Sequence, residues 1–125
     1  MSSRTASCSC GQLRVQVEGE PRVGVCHCLA CQRRTGSAFA ALARFPAPFQ
    51  VFGTATEYAR VGDQGARFIF RFCPVCGTTV FHTEEGDEAS VSVASVHSLI
   101  RHFRHRKSRS TTSAGIRGCS CLRAR

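Results

Sequence analysis

The stretch RFCPVCGTTVF, Arg71 to Phe81, sets two thiols three residues apart between two apolar segments. Pro74 shapes the turn between the sulfurs and Gly77 lets the backbone bend back beneath them, as in the knuckle of a zinc half-site. Such a half-site needs a second pair of ligands. Cys8 and Cys10, followed by Gly11, supply one. Residues i and i+2 of an extended chain face the same way, so both sulfurs reach one ion. Four ordinary buried cysteines would not account for the paired spacing. A metal joining segments more than sixty residues apart would staple a small β core.

The surrounding pattern is that of strands. Leu13, Val15 and Val17 alternate with polar residues, and in ARFIFRF Phe68, Phe70 and Phe72 oppose Arg67, Ile69 and Arg71. SAFAALARF, FQVF, TTVFHT and ASVSVASV read as further short strands, separated by glycine and proline. Over CQRRTGSAFAALARF a helix is disfavoured by Thr35 and Gly36. The expectation is a mainly β domain of antiparallel strands spanning 1–97, with no internal repeat.

A chain of 125 residues is one domain's worth. No run approaches the roughly 20 apolar residues of a membrane span, and Met1 to Cys10 contains no apolar stretch like that of a signal peptide. The expected address is cytoplasmic, with no membrane partner. There, nine cysteines point to metal binding or catalysis before disulfides. The net charge of +9 is unevenly placed: residues 1–97 hold nine arginines and all eight acidic residues, whereas residues 98–125 hold seven arginines, one lysine and no acid. Basicity therefore belongs to an irregular tail, which would meet nucleic acid only non-specifically, through counterion release.

A second cluster lies in VCHCLACQRRTGSAFA, Val25 to Ala40. Cys26, Cys28 and Cys31 offer three thiols and no evident fourth, and three protein ligands plus an open position mark a catalytic zinc. Cys26 and Cys28 would share one strand face, Cys31 would return after a turn, and His27 would point the other way. The alternative is that His82 or His97 closes the site and makes it structural. Three thiolates on Zn²⁺ leave a net charge of −1, which suits a soft sulfur ligand better than water. A substrate thiol held there would be in its nucleophilic thiolate form. Arg33 and Arg34 would meet carboxylates, and Thr35 with the backbone near Gly36 would make polar contacts; alternatively the arginines are solvated loop charges.

CSCGQLRVQVEG, CHCLACQRRTGSAFA and RFCPVCGTTVF, in this order and with these gaps, resemble the glutathione-dependent formaldehyde-activating enzyme family, which includes centromere protein V. The resemblance implies a β-tent of antiparallel sheets around a structural zinc, shared distantly with an accessory factor of Rab GTPases. It implies two zinc ions per chain, a structural one on Cys8, Cys10, Cys73 and Cys76 and a catalytic one on Cys26, Cys28 and Cys31. The implied activity is that of a carbon–sulfur lyase that makes or breaks S-hydroxymethylglutathione, with the glutathione sulfur on the open zinc position. The alternative is a non-catalytic zinc-binding module that docks a protein partner. Nothing in the chain suggests a Ser/His/Asp triad, a phosphate-cradling loop or paired catalytic carboxylates; Glu84, Glu85, Asp87 and Glu88 read as a solvated turn.

One departure stands out. After the strand matching ASVSVASV the family continues with an Asp-Pro and proline-rich segment and an aromatic stretch ending near His-Pro-Trp, and residues 98–125 spell neither. Shifted by one frame, codons for Ser98 to Arg106 permit Phe-Asp-Pro-Ser-Phe-Pro-Pro-Pro, and those for Gly115 to Cys119 permit His-Pro-Trp-Val. This suggests a frame change near Ser95 to Ser98, which would leave Cys119 and Cys121 incidental.

Overall fold

A computed structural model describes residues 3–94. The expected boundary at 97, the tail 98–125, His97, Cys119 and Cys121 lie outside the described residues. The fold is mainly β, in two antiparallel sheets. Strands β1 (Ser3–Ser7), β2 (Arg14–Glu18) and β5 (Phe49–Phe52) form a small sheet in the order β1-β2-β5. Strands β3 (Arg22–Cys26), β4 (Ala40–Pro46), β6 (Thr56–Val61), β7 (Arg67–Phe72), β8 (Thr79–Glu84) and β9 (Asp87–Val93) form a larger one, ordered β3-β4-β9-β8-β7-β6. No helix among the described residues is long and apolar enough to cross a membrane.

Alternation gives the large sheet two unlike faces. On one, Phe81 and Ala43 both pair with Val93, and Phe45 pairs with Val91. These side chains are buried together with Ala6, Leu13, Val15 and Val17 of the small sheet's layer, forming one core. Each buried valine or phenylalanine contributes roughly 1.5–3 kcal/mol by leaving water, so the two sheets are held face to face. On the other face, register aligns Tyr58, Phe70, His82, Ser92 and Arg44 across five neighbouring strands. That row faces away from the small sheet, and its Phe70, His82, Ser92 and Arg44 form the floor of the candidate site.

The structure corrects one expectation. Leu29–Thr35 is an α-helix, α1, inserted between β3 and β4. Gly36 does not break it but ends it: at φ 70° it takes the left-handed conformation and its N–H donates to the Gln32 carbonyl at 2.8 Å, a glycine C-cap. SAFAALARF accordingly becomes a strand only from Ala40. Seven residues are too few for an apolar period to register in the sequence.

The turn after β5 is pinned to the loop before β2. The Gln12 carboxamide accepts from the Thr54 N–H at 2.9 Å and donates to the Thr54 carbonyl at 2.8 Å and to Cys73 Sγ at 2.9 Å. Gly53, at φ 94°, passes so close that a Cβ there would collide with the Gln12 carbonyl. Gly65 has a similar φ of 89° with nothing near its would-be Cβ. Gly65→Ala is expected to cost only the left-handed backbone term, about 1–2 kcal/mol. Gly53→Ala should cost clearly more, because backbone must also move. Urea unfolding midpoints of the two variants check this; equal losses would show that the Gln12 contact is dispensable.

Candidate metal and thiol site

The four-thiol group is built by two turns. At the first, the Gly11 N–H donates to the Cys8 carbonyl at 3.1 Å, so Cys8 and Cys10 lie on a turn and not on the extended segment that their spacing suggested. The sulfurs nevertheless converge. At the second, the Gly77 N–H donates to the Cys73 carbonyl at 2.8 Å, and the N–H groups of Val75 and Cys76 point at Cys73 Sγ at 3.3 and 3.5 Å. This is the expected knuckle, with Gly77 at φ 76°. Thr78 stitches the turns together: its hydroxyl meets the Ser9 N–H at 3.2 Å and the Ser9 hydroxyl at 3.0 Å. Hydrogen bonds from the Thr78 hydroxyl and backbone also hold the Cys76 thiol down at about 5.

The spacing fits a zinc ion. Four sulfurs at 2.3 Å from one tetrahedral ion lie about 3.8 Å apart. Here Cys8 and Cys10 are 3.5 Å apart and Cys10 and Cys73 3.6 Å, and all four ligand atoms lie within 4.8 Å of one another.

The second group is local. Cys26 ends β3, Cys28 is the N-cap of α1, and Cys31 sits in the helix's first turn. Cys28 Sγ accepts from the Cys31 N–H at 3.4 Å, taking the role an oxygen usually plays at an N-cap. The three sulfurs lie within 4.8 Å of one another, and no fourth histidine, cysteine or acid among the described residues joins them. The Cys31 amide, followed by the Cys31 and Cys26 thiols, draws the exposed Cys28 down to about 7. Burial, with the neighbouring thiols, pushes Cys31 up to about 11. Without metal, Cys28 therefore ionises before Cys31.

These thiols open on a cleft of about 500 Å³ floored by the outer face of the large sheet, with Arg44, Arg60, Asp63, Phe70, His82 and Glu84 among its lining. His27 lies outside the thiol group, its ring 5.6 Å from that of Phe39. His82 shares the cleft without joining the sulfurs. Its ring is buried between Phe68 and Phe70, with centroid distances of 5.9 and 4.7 Å, and its Nδ1 finds no partner. Burial, then the charges of Arg34, Arg60 and Arg44, push it down to about 4.

The remaining expected contacts separate. Arg33 and Arg34 line a second cavity behind α1. Thr35 and Gly36 line neither cavity. The Thr35 hydroxyl donates to the Cys31 carbonyl at 2.9 Å and accepts from the Ser37 N–H at 3.1 Å, closing the helix end. Sequence reading missed Arg60, Phe70 and Tyr58 as cavity walls, because cross-strand register brings them there and no motif carries it.

Two sulfur groups, one of four thiols and one of three beside a cleft, have a spacing that could hold metal ions on a two-sheet β scaffold. The chain belongs to the glutathione-dependent formaldehyde-activating enzyme family, whose model matches residues 3–111. That match runs beyond residue 97. No curated protein matches the chain significantly. A crystal structure of a Rhodobacter sphaeroides protein resembles it with a TM-score of 0.52 and 25% identity, over 72% of this chain and 83% of that one.

His82 gives the fold an acid sensitivity. The unfolded histidine protonates below about 6.5, whereas the folded one stays neutral until about 4. Stability from its neutral burial is complete above 6.5 and is lost as pH falls through that window, by about 3 kcal/mol in all at 1.36 kcal/mol per unit. Urea titrations at pH 7 and pH 4 should show a smaller loss for His82→Gln than for the unaltered protein; equal losses would rule out His82 as the source.

Proposed function

We propose that the protein is a zinc-dependent carbon–sulfur lyase that joins a small thiol to an aldehyde and reverses the reaction. Glutathione and formaldehyde are the pair the family description names. The observation that carries the reading is the trio Cys26, Cys28 and Cys31, convergent within 4.8 Å and opening on a cleft with no fourth protein donor among the described residues. Zinc bound by three thiolates would leave one position for a substrate sulfur and hold it as thiolate. The four-thiol group would take a second, structural zinc.

The chain's own residues complete the site. Arg44 and Arg60 place positive charge along the cleft, and His82, neutral at pH 7, adds an uncharged polar ring. In the condensing direction the thiolate's electron pair forms the C–S bond and the carbonyl π pair moves to oxygen. That oxygen takes up a proton equivalent to the one the thiol released; cleavage is the reverse. The chemistry needs reduced cysteines, which fits a cytoplasmic setting. We also propose the division at residue 97, with residues 98–125 read in a shifted frame; the coding DNA tests it, and a shifted frame that fails to spell the proline-rich and His-Pro-Trp segments would end it.

Zinc per chain, measured by elemental analysis, should fall from two in the purified protein to one in Cys28→Ser with the circular dichroism spectrum retained. Glutathione-dependent formaldehyde exchange, followed by NMR, should fall to the uncatalysed rate in the same variant. One zinc in the starting protein, unchanged by the substitution, would refute the catalytic site.

A further inference from the structure

Cys31 and Arg34 stand three residues apart on α1, the spacing that places two side chains on one helix face. Arg34 is anchored there, its guanidinium carbon 5.1 Å from the centre of the Phe70 ring on the sheet. Its Nε and Nη2 are buried and complete no hydrogen bond. Among the described residues, the ion pairs engage Arg4, Arg44, Arg67 and Arg71, not Arg34. Buried donors are nearly always satisfied, and the group these donors face is sulfur. Burial, then the Cys28 and Cys26 thiols, push the Cys31 thiol up, and the Arg34 side chain draws it back down. A protonated thiol is a weak acceptor, whereas a thiolate accepts from a guanidinium in a charge-assisted bond. The donors are thus in place for a charge that the free thiol does not carry.

The four-thiol group is surrounded differently. Its sulfurs meet the N–H groups of Leu13, Val75 and Cys76, the Gln12 carboxamide and the Thr78 hydroxyl, all of them neutral. Zinc on Cys26, Cys28 and Cys31 would carry a charge of −1, and an incoming thiolate would make it −2. A guanidinium beside Cys31 offsets one of those charges. A hydrogen bond to a ligating sulfur also weakens its donation to the metal, which leaves more attraction for a fourth ligand.

We propose that Arg34 is a positioning residue for the three-thiol site: its buried edge donates to the Cys31 sulfur, holds that sulfur as thiolate and offsets the negative charge that a metal-bound substrate sulfur adds. The inference rests on the reading of the trio as a metal site and deepens it. It gives Arg34 a role at the metal's own sulfur and not at the substrate.

Arg34→Met removes the charge and keeps apolar contact with Phe70. Competition with a chromophoric chelator should show one of the two zinc ions held about tenfold or more less tightly in this variant, with the other ion and the circular dichroism spectrum unchanged. In the cobalt-substituted protein the sulfur-to-metal charge-transfer band should move to longer wavelength, because a sulfur without its hydrogen bond gives up electrons more readily. 2-Mercaptoethanol should perturb that spectrum only at about tenfold or more higher concentration than in the unaltered protein. Arg34→Lys, which restores the charge without the two-donor edge, should recover part of the zinc affinity. Unchanged zinc affinity, band and thiol response in Arg34→Met would overturn the assignment, as would a lysine variant no better than the methionine one. If Arg34→Met does not fold, Arg34→Gln, neutral and polar, is read by the same three measures. Two zinc ions of unaltered affinity in the variant would sink the role of Arg34 and leave the catalytic zinc standing, whereas a single ion in the unaltered protein would overturn both.

Discussion

Four sulfurs from two turns converge where this fold's loops meet. The turn after β1 and the knuckle between β7 and β8 belong to different sheets, and their sulfurs on Cys10 and Cys73 are 3.6 Å apart. Around them the Gln12 carboxamide ties the turn after β5 to the same knuckle. Three loops therefore meet at one point. A chain of this length buries only a modest core, so an ion held at this convergence would fix the relation of the two sheets in a way that apolar packing between flat faces would not.

The large sheet separates stability from chemistry by alternation alone. Its inner face carries Phe45, Phe81, Val91 and Val93 against the small sheet, and its outer face carries Phe70, His82 and Arg44 beneath the three-thiol group. Helix α1 then supplies Cys31 to one space and Arg33 and Arg34 to the next. A short helix ended by Gly36 thus stands beside two spaces that share Arg60 and Phe70 as a wall. The cost of this face includes a buried imidazole whose Nδ1 has no partner.

Much of this was legible in the sequence because cysteine spacing and period-2 alternation are local signals. Both sulfur groups assemble as the spacing foretold, and β2, β7, β8 and β9 fall on the alternating segments. Strands β1 and β6 escaped notice because they are largely exposed and show no clean alternation. Helix α1 was hidden by its length and by a glycine whose role depends on φ, which composition does not reveal. The cavity walls were beyond local reading altogether. Tyr58 and Arg60 reach Phe70 and Phe68 only through strand register, and His82 becomes buried only because Phe68 and Phe70 flank it from the next strand.

The two sulfur groups also differ in how much chain lies between their members. Cys26, Cys28 and Cys31 fall within six consecutive residues, whereas the other group joins positions 10 and 73. Drawing together ends 63 residues apart costs about 2 kcal/mol more loop entropy than drawing together ends five apart. During synthesis the local trio is complete long before the distant pair exists. In a growing chain the three-thiol group is thus complete at residue 31, whereas the four-thiol group waits for Cys76.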